Sequence, residues 1–447
     1  MAANSKRGHT ISLMAWFLGA LILCLAGYSK PEALAAETTR DPLIEVLIRK
    51  GILTEQEARQ IEAEANALEK EREKRVAEQI DKKGPALPKG LKDVSVGMLA
   101  YVDYSNGQKA LSGDREDSFN DFRLTRGYLI VKKQLLPWMG FRITPDIHQD
   151  DTGDYKLRLK YLYAEFKAQD LGFFTGIKSE VGMGHIPWLD FEEHINPYRC
   201  QGTMPIERAG TFNSADLGIG VMGYLGGRLE NAEERTGSHY YDGRLGSWHV
   251  GVYNGSGYHA SEKNNDKVLE GRLTLRPLPN IAPGLQVSYF GLTGQGNKEY
   301  GGDYPDYTVN LGMLSYQHPW LTLTAQYFTT KGNAKGDWVD ARGEAIDTAG
   351  YSFFGDFKLP VAEKRLSLFG RWDHFDADDK DKIAEKTEYD LYMAGLAYDV
   401  YQGNIVLLSY ETTDYDEDFG NSKGKTPVAD NDLGDERKVQ VVYQIKF

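Results

Sequence analysis

The stretch Lys438-Val439-Gln440-Val441-Val442-Tyr443-Gln444-Ile445-Lys446-Phe447 decides how the rest of the chain is read. Val439, Val441, Tyr443, Ile445 and Phe447 share one parity; Lys438, Gln440, Gln444 and Lys446 share the other. Side chains alternate across a strand, so the segment predicts a β-strand with one apolar and one wet face. A strand of a soluble sandwich alternates in the same way. The decision therefore rests on how many such segments the chain holds and how they are joined.

Working backwards, Leu321, Leu323, Ala325 and Tyr327 oppose Thr322, Thr324 and Gln326. Leu285, Val287 and Tyr289 oppose Gln286 and Ser288, and Leu366, Leu368 and Trp372 oppose Ser367, Arg371 and Asp373. About sixteen such segments follow from residue 94 onward, an even number as in bacterial barrels. Their expected starts are residues 94, 119, 138, 154, 171, 214, 238, 266, 283, 303, 319, 347, 364, 387, 403 and 436. Tight turns, such as Leu135-Leu136-Pro137 and Gln317-His318-Pro319, alternate with long polar connections at 105–118, 181–213, 255–265, 292–302, 330–346, 376–386 and 414–435. Sorting of connections by side is a property of membrane barrels, and Trp138, Trp248 and Trp320 fall at the short-turn end where an interfacial girdle belongs. Mean hydropathy is low, at −0.49, and 26% of residues are charged. A barrel tolerates both, because only alternate residues face lipid. The fold class expected is all-β: a transmembrane antiparallel β-barrel of about sixteen strands over 90–447, behind a short α-helical segment.

The front of the chain reads differently. Lys6 and Arg7 precede an apolar run from Leu13 to Gly27, and Ala33-Leu34-Ala35 follows, the pattern of a secretory leader over 1–35 cut after Ala35. Leu23 before Cys24 argues against a lipoprotein signal. Residues 36–89 read as a helical periplasmic segment and linker, with a capping box at Thr54-Glu55-Gln56-Glu57 and a stop at Gly84-Pro85-Ala86-Leu87-Pro88. Two readings are open for it, a solvated spacer helix and a coiled coil whose apolar seam breaks at Arg72 and Arg75. The cysteines are Cys24, in the leader, and Cys200, so no disulfide is expected.

On the early strands Arg142, Lys156, Arg158, Lys160 and Lys178 take inward positions on neighbouring segments and form one basic wall; Arg272 and Arg371 join from later strands. A charged wall selects ions, whereas the alternative is a neutral lining in which Asp146, Glu180, Asp356 and Asp373 cancel it. The connection 181–213 is too apolar for water and is expected to fold inward as a constriction loop, carrying His185, Trp188, Asp190, Glu192, Glu193, His194 and Arg199. His185, Glu192 and His194 lack zincin spacing, so structural polar contacts are preferred and no metal is expected. Asp376, Asp378, Asp379 and Asp381, with Asp414, Asp416, Glu417 and Asp418, make the outer loops acidic: solvated surface, or divalent-cation bridges to lipopolysaccharide. No catalytic constellation, cofactor motif or Cys-x-x-Cys-His is present, and a net charge of −13 argues against nucleic acid.

Phe122-Arg123-Leu124-Thr125-Arg126-Gly127-Tyr128-Leu129-Ile130-Val131-Lys132, Tyr155-Lys156-Leu157-Arg158-Leu159-Lys160-Tyr161-Leu162-Tyr163-Ala164-Glu165-Phe166 and Thr175-Gly176-Ile177-Lys178-Ser179-Glu180-Val181-Gly182 resemble successive strands of the phosphate-selective porin O/P family. Tyr443, Ile445 and Phe447 resemble the C-terminal signal that the barrel-assembly machinery reads. The resemblance implies a sixteen-stranded, usually trimeric diffusion channel in the outer membrane, in contact with lipid and lipopolysaccharide, whose lumenal basic residues guide anions. The acidic chain departs from that pattern, because its outer loops repel phosphate at a distance. A second reading from another class is a barrel that sheathes a multihaem cytochrome; small inward residues would favour it, and an inward loop would favour the pore. A barrel enzyme ranks third.

Overall fold

The computed structural model describes residues 50, 51, 53, 54, 56–58, 60, 90–111, 115–150, 152–419, 427 and 433–447. The chain divides into two units, Met1–Gly90 and Leu91–Phe447. In the first, the capping box is present: the Thr54 amide donates to Glu57 Oε2 (2.8 Å) and the Glu57 amide to Thr54 Oγ1 (3.3 Å). The leader, its cut after Ala35, the apolar edge of the helical segment and the linker at 84–88 lie outside the described residues.

The second unit is a closed antiparallel barrel of sixteen strands, each paired with its neighbours in chain order. The strands are β1 (Val94–Leu111), β2 (Arg115–Leu136), β3 (Met139–Gln149), β4 (Tyr155–Lys167), β5 (Phe174–His185), β6 (Ala215–Leu225), β7 (Gly246–Tyr253) and β8 (Val268–Leu275). They continue as β9 (Leu285–Gln295), β10 (Asp306–His318), β11 (Leu321–Lys331), β12 (Asp347–Lys358), β13 (Leu366–Asp376), β14 (Glu388–Tyr401), β15 (Asn404–Tyr415) and β16 (Glu436–Lys446). The terminal strand closes the ring against the first, with Ala100 opposite Ile445 and Val102 opposite Tyr443. Closure leaves no open side to the sheet, although the β1–β2 hairpin extends beyond its neighbours, with β2 paired to β3 only from Tyr128 onward.

The period-2 reading holds along the later strands. Val287, Tyr289, Leu323, Tyr327, Leu368, Trp372 and Tyr443 are exposed on the outer surface, while Gln286, Ser288, Gln326, Asp373 and Gln440 are buried inside. An outer face of this kind suits lipid. Tyr327, Tyr351, Trp372 and Tyr392 follow one another around neighbouring strands, and Trp372 lies 5.3 Å from Tyr351 and 6.3 Å from Tyr392. They form an aromatic arc toward the long-loop end, opposite Trp138 and Trp320 at the short-turn end.

Two expectations are corrected. Within the stretch 105–118 expected as a loop, residues 105–111 and 115–118 are strand: the ladder of β1 and β2 runs on to Leu111 opposite Arg115. Beyond the lipid band both faces of a strand meet water, so hydropathy stops alternating while pairing continues. The seventh strand begins at Gly246, not at 238. Residues 226–245 instead form an excursion at the short-turn end, built on Gly226 and Gly227, both at positive φ, and a short helix Ala232–Thr236.

Candidate functional site: a divided lumen

The connection between β5 and β6 lies inside the barrel. It carries two short helices, α1 (Leu189–Ile195) and α2 (Pro205–Ala209), and its apolar side chains are almost fully withdrawn from water: Trp188, Leu189, Phe191, Met204 and Ile206. They pack on aromatic patches of the inner wall. Trp188 meets Phe290 of β9 at 5.8 Å, Phe212 meets the same ring at 5.7 Å, and Tyr198 meets Phe369 of β13 at 4.6 Å. Burying such rings is the main stabilising term for the docked loop.

Polar anchors fix the register of that packing. Arg208 of α2 donates to both carboxylate oxygens of Glu411 on β15 (3.0 and 3.2 Å), and the Tyr198 hydroxyl donates to Asp356 on β12 (2.9 Å). Glu192 accepts from Gln326 on β11 (2.6 Å) and from Trp188 Nε1 (2.7 Å). Burial pushes the Glu192 carboxyl up to about 7 against those bonds. Two cations expected in the pore lining turn out to hold the loop: Arg272 on β8 donates to the Pro187 carbonyl (2.9 Å), and Arg371 on β13 donates to the Thr203 carbonyl (2.7 Å) while paired with Asp373.

The opposite side of the loop is charged and faces β1–β5. Arg199 bridges Glu193 (3.0 Å) and Glu207 (3.2 Å), and Arg126 of β2 reaches Glu193 at 3.9 Å. Burial opposes ionisation of Glu207, yet the Arg199 guanidinium holds its carboxyl below the ordinary value. Burial likewise opposes Asp190, whose neighbours His194 and His185 and a Tyr241 hydroxyl bond hold it well below the usual carboxylate range. His185, Glu192 and His194 do not converge. His185 bonds Glu180 (2.7 Å) and Arg142 (3.2 Å), and His194 bonds the Asp190 carbonyl (2.6 Å). Cys200 is buried, and its thiol is pushed up to about 12 by that burial, so it is a poor nucleophile.

The cations expected to form one basic wall are mostly compensated. Arg158 pairs with Asp146 (2.8 Å), and Lys178 with Glu165 (3.1 Å) and Glu180 (3.5 Å). Lys156 sits at the rim, largely exposed and paired with Asp150. Lys160 is buried on Ser214 and the Tyr258 ring. It falls at a bulge between β3 and β4, where the inward parity switches to Tyr161 and Tyr163. Arg142 stands over the Tyr161 ring at 4.4 Å. Sequence reading missed Arg126, which lies over the Tyr101 and Tyr128 rings at 5.0 and 4.6 Å; the alternation Arg126, Tyr128, Ile130, Lys132 was the available signal.

Between the loop and the barrel wall two cavities remain, one against β1, β2, β15 and β16 and one against β1–β8. The one at the long-loop end, of about 670 Å³, is lined by six lysines and arginines against four carboxylates. The one at the short-turn end, of about 920 Å³, holds seven against four. A chain of net charge −13 thus encloses two vestibules of cationic excess.

No protein-family model matches the chain, and no curated protein matches it. Among solved structures, the barrel is similar to an anion-selective porin from Comamonas acidovorans (12% identity, 79% of this chain and 100% of that one, TM-score 0.52). It is similar to OmpF of Salmonella typhi, solved in complex with daunomycin (12% identity, 79% and 97%, TM-score 0.52). It is also similar to the outer membrane channel DcaP of Acinetobacter baumannii (11% identity, 79% and 97%, TM-score 0.50). Residues 91–447 therefore have the fold of the outer-membrane porins.

Proposed function

We propose that this protein is an outer-membrane porin: a water-filled barrel for passive diffusion of small hydrophilic solutes, with a preference for anions. The carrying observation is the inward loop at 186–214, which packs against Phe290 and its neighbours and leaves two vestibules with cationic excess, one against β1, β2, β15 and β16 and one against β1–β8. Low-dielectric walls around an excess of one sign concentrate the opposite ion, whatever the charge of the outer surface. Phosphate stays within this reading as one anion among others, resting on the strand motifs in β2–β5. A secretory leader, a helical periplasmic segment, a homotrimer and contacts with lipopolysaccharide complete the proposal. The cytochrome sheath loses its support, because it needs an empty lumen lined by small residues and this one is occupied by Trp188, Phe191 and Tyr198 against Phe290, Phe354 and Phe369.

The test is conductance of the purified barrel in a planar bilayer. Discrete steps are expected, with chloride current reduced as phosphate is added. An inserted, folded barrel without steps would overturn the reading.

A further inference from the structure

Lys132 on β2 and Arg142 on β3 are direct cross-strand partners, and both line the cavity at the short-turn end. Like charges placed opposite one another destabilise a sheet unless a counter-charge sits between them. Here none does. Arg142 bonds Thr144 Oγ1 (3.0 Å) and His185 Nε2 (3.2 Å) and lies on the Tyr161 ring, while Lys132 makes no ion pair among the described residues. Every other lumenal cation of β4 and β5 that the sequence pointed to has a carboxylate or a buried hydroxyl. The two cations thus keep N–H donors that no carboxylate of the described residues takes up.

The other side of the same cavity is aromatic. The excursion 226–245, whose residues from 238 the sequence assigns to the start of a strand, folds back against the constriction helix α1. Its Tyr241 hydroxyl bonds Asp190, and its Tyr240 ring lies 4.1 Å from His194 and 4.1 Å from His239. Tyr240 is nevertheless 43% exposed, toward the cavity it lines. An excursion at this end is not needed to close the barrel, since the other turns there manage with a few residues. It supplies a rigid, half-wet ring opposite an unpaired cation pair, in a cavity of small-molecule size.

We infer that the short-turn vestibule is a binding site for aromatic carboxylates, the carboxylate on Lys132 and Arg142 and the ring against Tyr240 and His194. Inorganic phosphate uses only the cationic side; a planar aromatic anion uses both. Arg142 lies over the Tyr161 ring and has five N–H donors, of which Thr144 and His185 take only part, so donors remain for a carboxylate. This inference rests on the channel reading, and it names the solute class that the channel would favour.

The experiment adds benzoate, cyclohexanecarboxylate or inorganic phosphate to the short-turn side of single channels carrying chloride, and reads the half-blocking concentration of each. Benzoate is expected to block at a concentration several-fold below the other two. Lys132→Gln with Arg142→Gln should raise all three values by about tenfold, the effect of losing a charge-assisted contact. Tyr240→Ala should raise the benzoate value alone, and Tyr240→Phe should restore it. Equal block by benzoate and cyclohexanecarboxylate, or a benzoate value indifferent to Tyr240→Ala, would overturn the site while leaving the porin intact. If the barrel does not conduct, titration calorimetry of the folded protein in detergent decides instead: saturable benzoate binding lost in Lys132→Gln/Arg142→Gln supports the site, and no binding overturns it.

Discussion

The inner surface of this barrel has two arcs that obey opposite rules. Along β8–β15 the inward positions include Phe290, Phe328, Phe354, Phe369 and Phe375, and they receive the constriction loop as a protein core receives a helix. Along β1–β5 the inward positions include Asp103, Arg126, Arg142, Asp146, Lys178 and Glu180 among tyrosines, and they meet one another and the charged side of the same loop. One loop is thus a core element on one side and a channel wall on the other. The difference teaches that lumenal polarity is not a property of the barrel as a whole. It is decided strand by strand, by what each arc has to touch.

The sharpest way to break the comparison is to undock the loop from its apolar arc. Trp188→Ala removes a fully buried ring and should cost about 3–5 kcal/mol of stability. Thermal unfolding in detergent would show the loss, and conductance should rise as the loop loosens. Glu411→Ala should cost a comparable amount, about 3–5 kcal/mol, because it strands the buried Arg208 guanidinium without its carboxylate. A variant of either kind with wild-type stability and conductance would mean that the loop is not held by these contacts.

A gentler test uses acidity. The Glu192 carboxyl is raised to about 7, above its ordinary value of 4.5, so the folded protein holds a proton there that the unfolded chain releases. Stability from this group is fully present below about 4.5 and is lost as pH rises toward 7. Glu192→Gln should flatten that slope in scanning calorimetry, and an unchanged slope would assign it to another group.

On the charged arc the expected effects concern selectivity more than stability. Arg126→Gln removes a cation at the level of the loop and should move the reversal potential toward cations. Lys156→Gln should do almost nothing, because its pair with Asp150 lies exposed at the rim, where solvent screens it. Equal shifts from the two substitutions would show that depth in the lumen does not matter, and the account would need a different filter.

Much of this was legible in the sequence. Alternation found the strands because lipid imposes period 2 on the outer face, and Ile186, Trp188 and Phe191 announced an inward loop because nothing else would bury them. What failed did so for physical reasons. Residues 105–118 lie where the strand leaves the lipid, so pairing persists without a hydropathy signal. The excursion 226–245 carries His239, Tyr240 and Tyr241 in a segment that imitates a strand edge. The bulge at Lys160 reverses which parity faces inward, and no composition reveals a bulge. The partners of Arg272 and Arg371 are loop carbonyls, which exist as acceptors only once the loop has folded in.

The central claim is that the docked loop leaves a passage whose walls favour anions in a chain that is acidic overall. The reversal potential of the wild-type barrel across a potassium chloride gradient tests it most directly. The account predicts a potential displaced toward the chloride equilibrium value. A potential displaced toward potassium would contradict it, and would mean that the acidic outer loops, not the two vestibules, govern which ions pass.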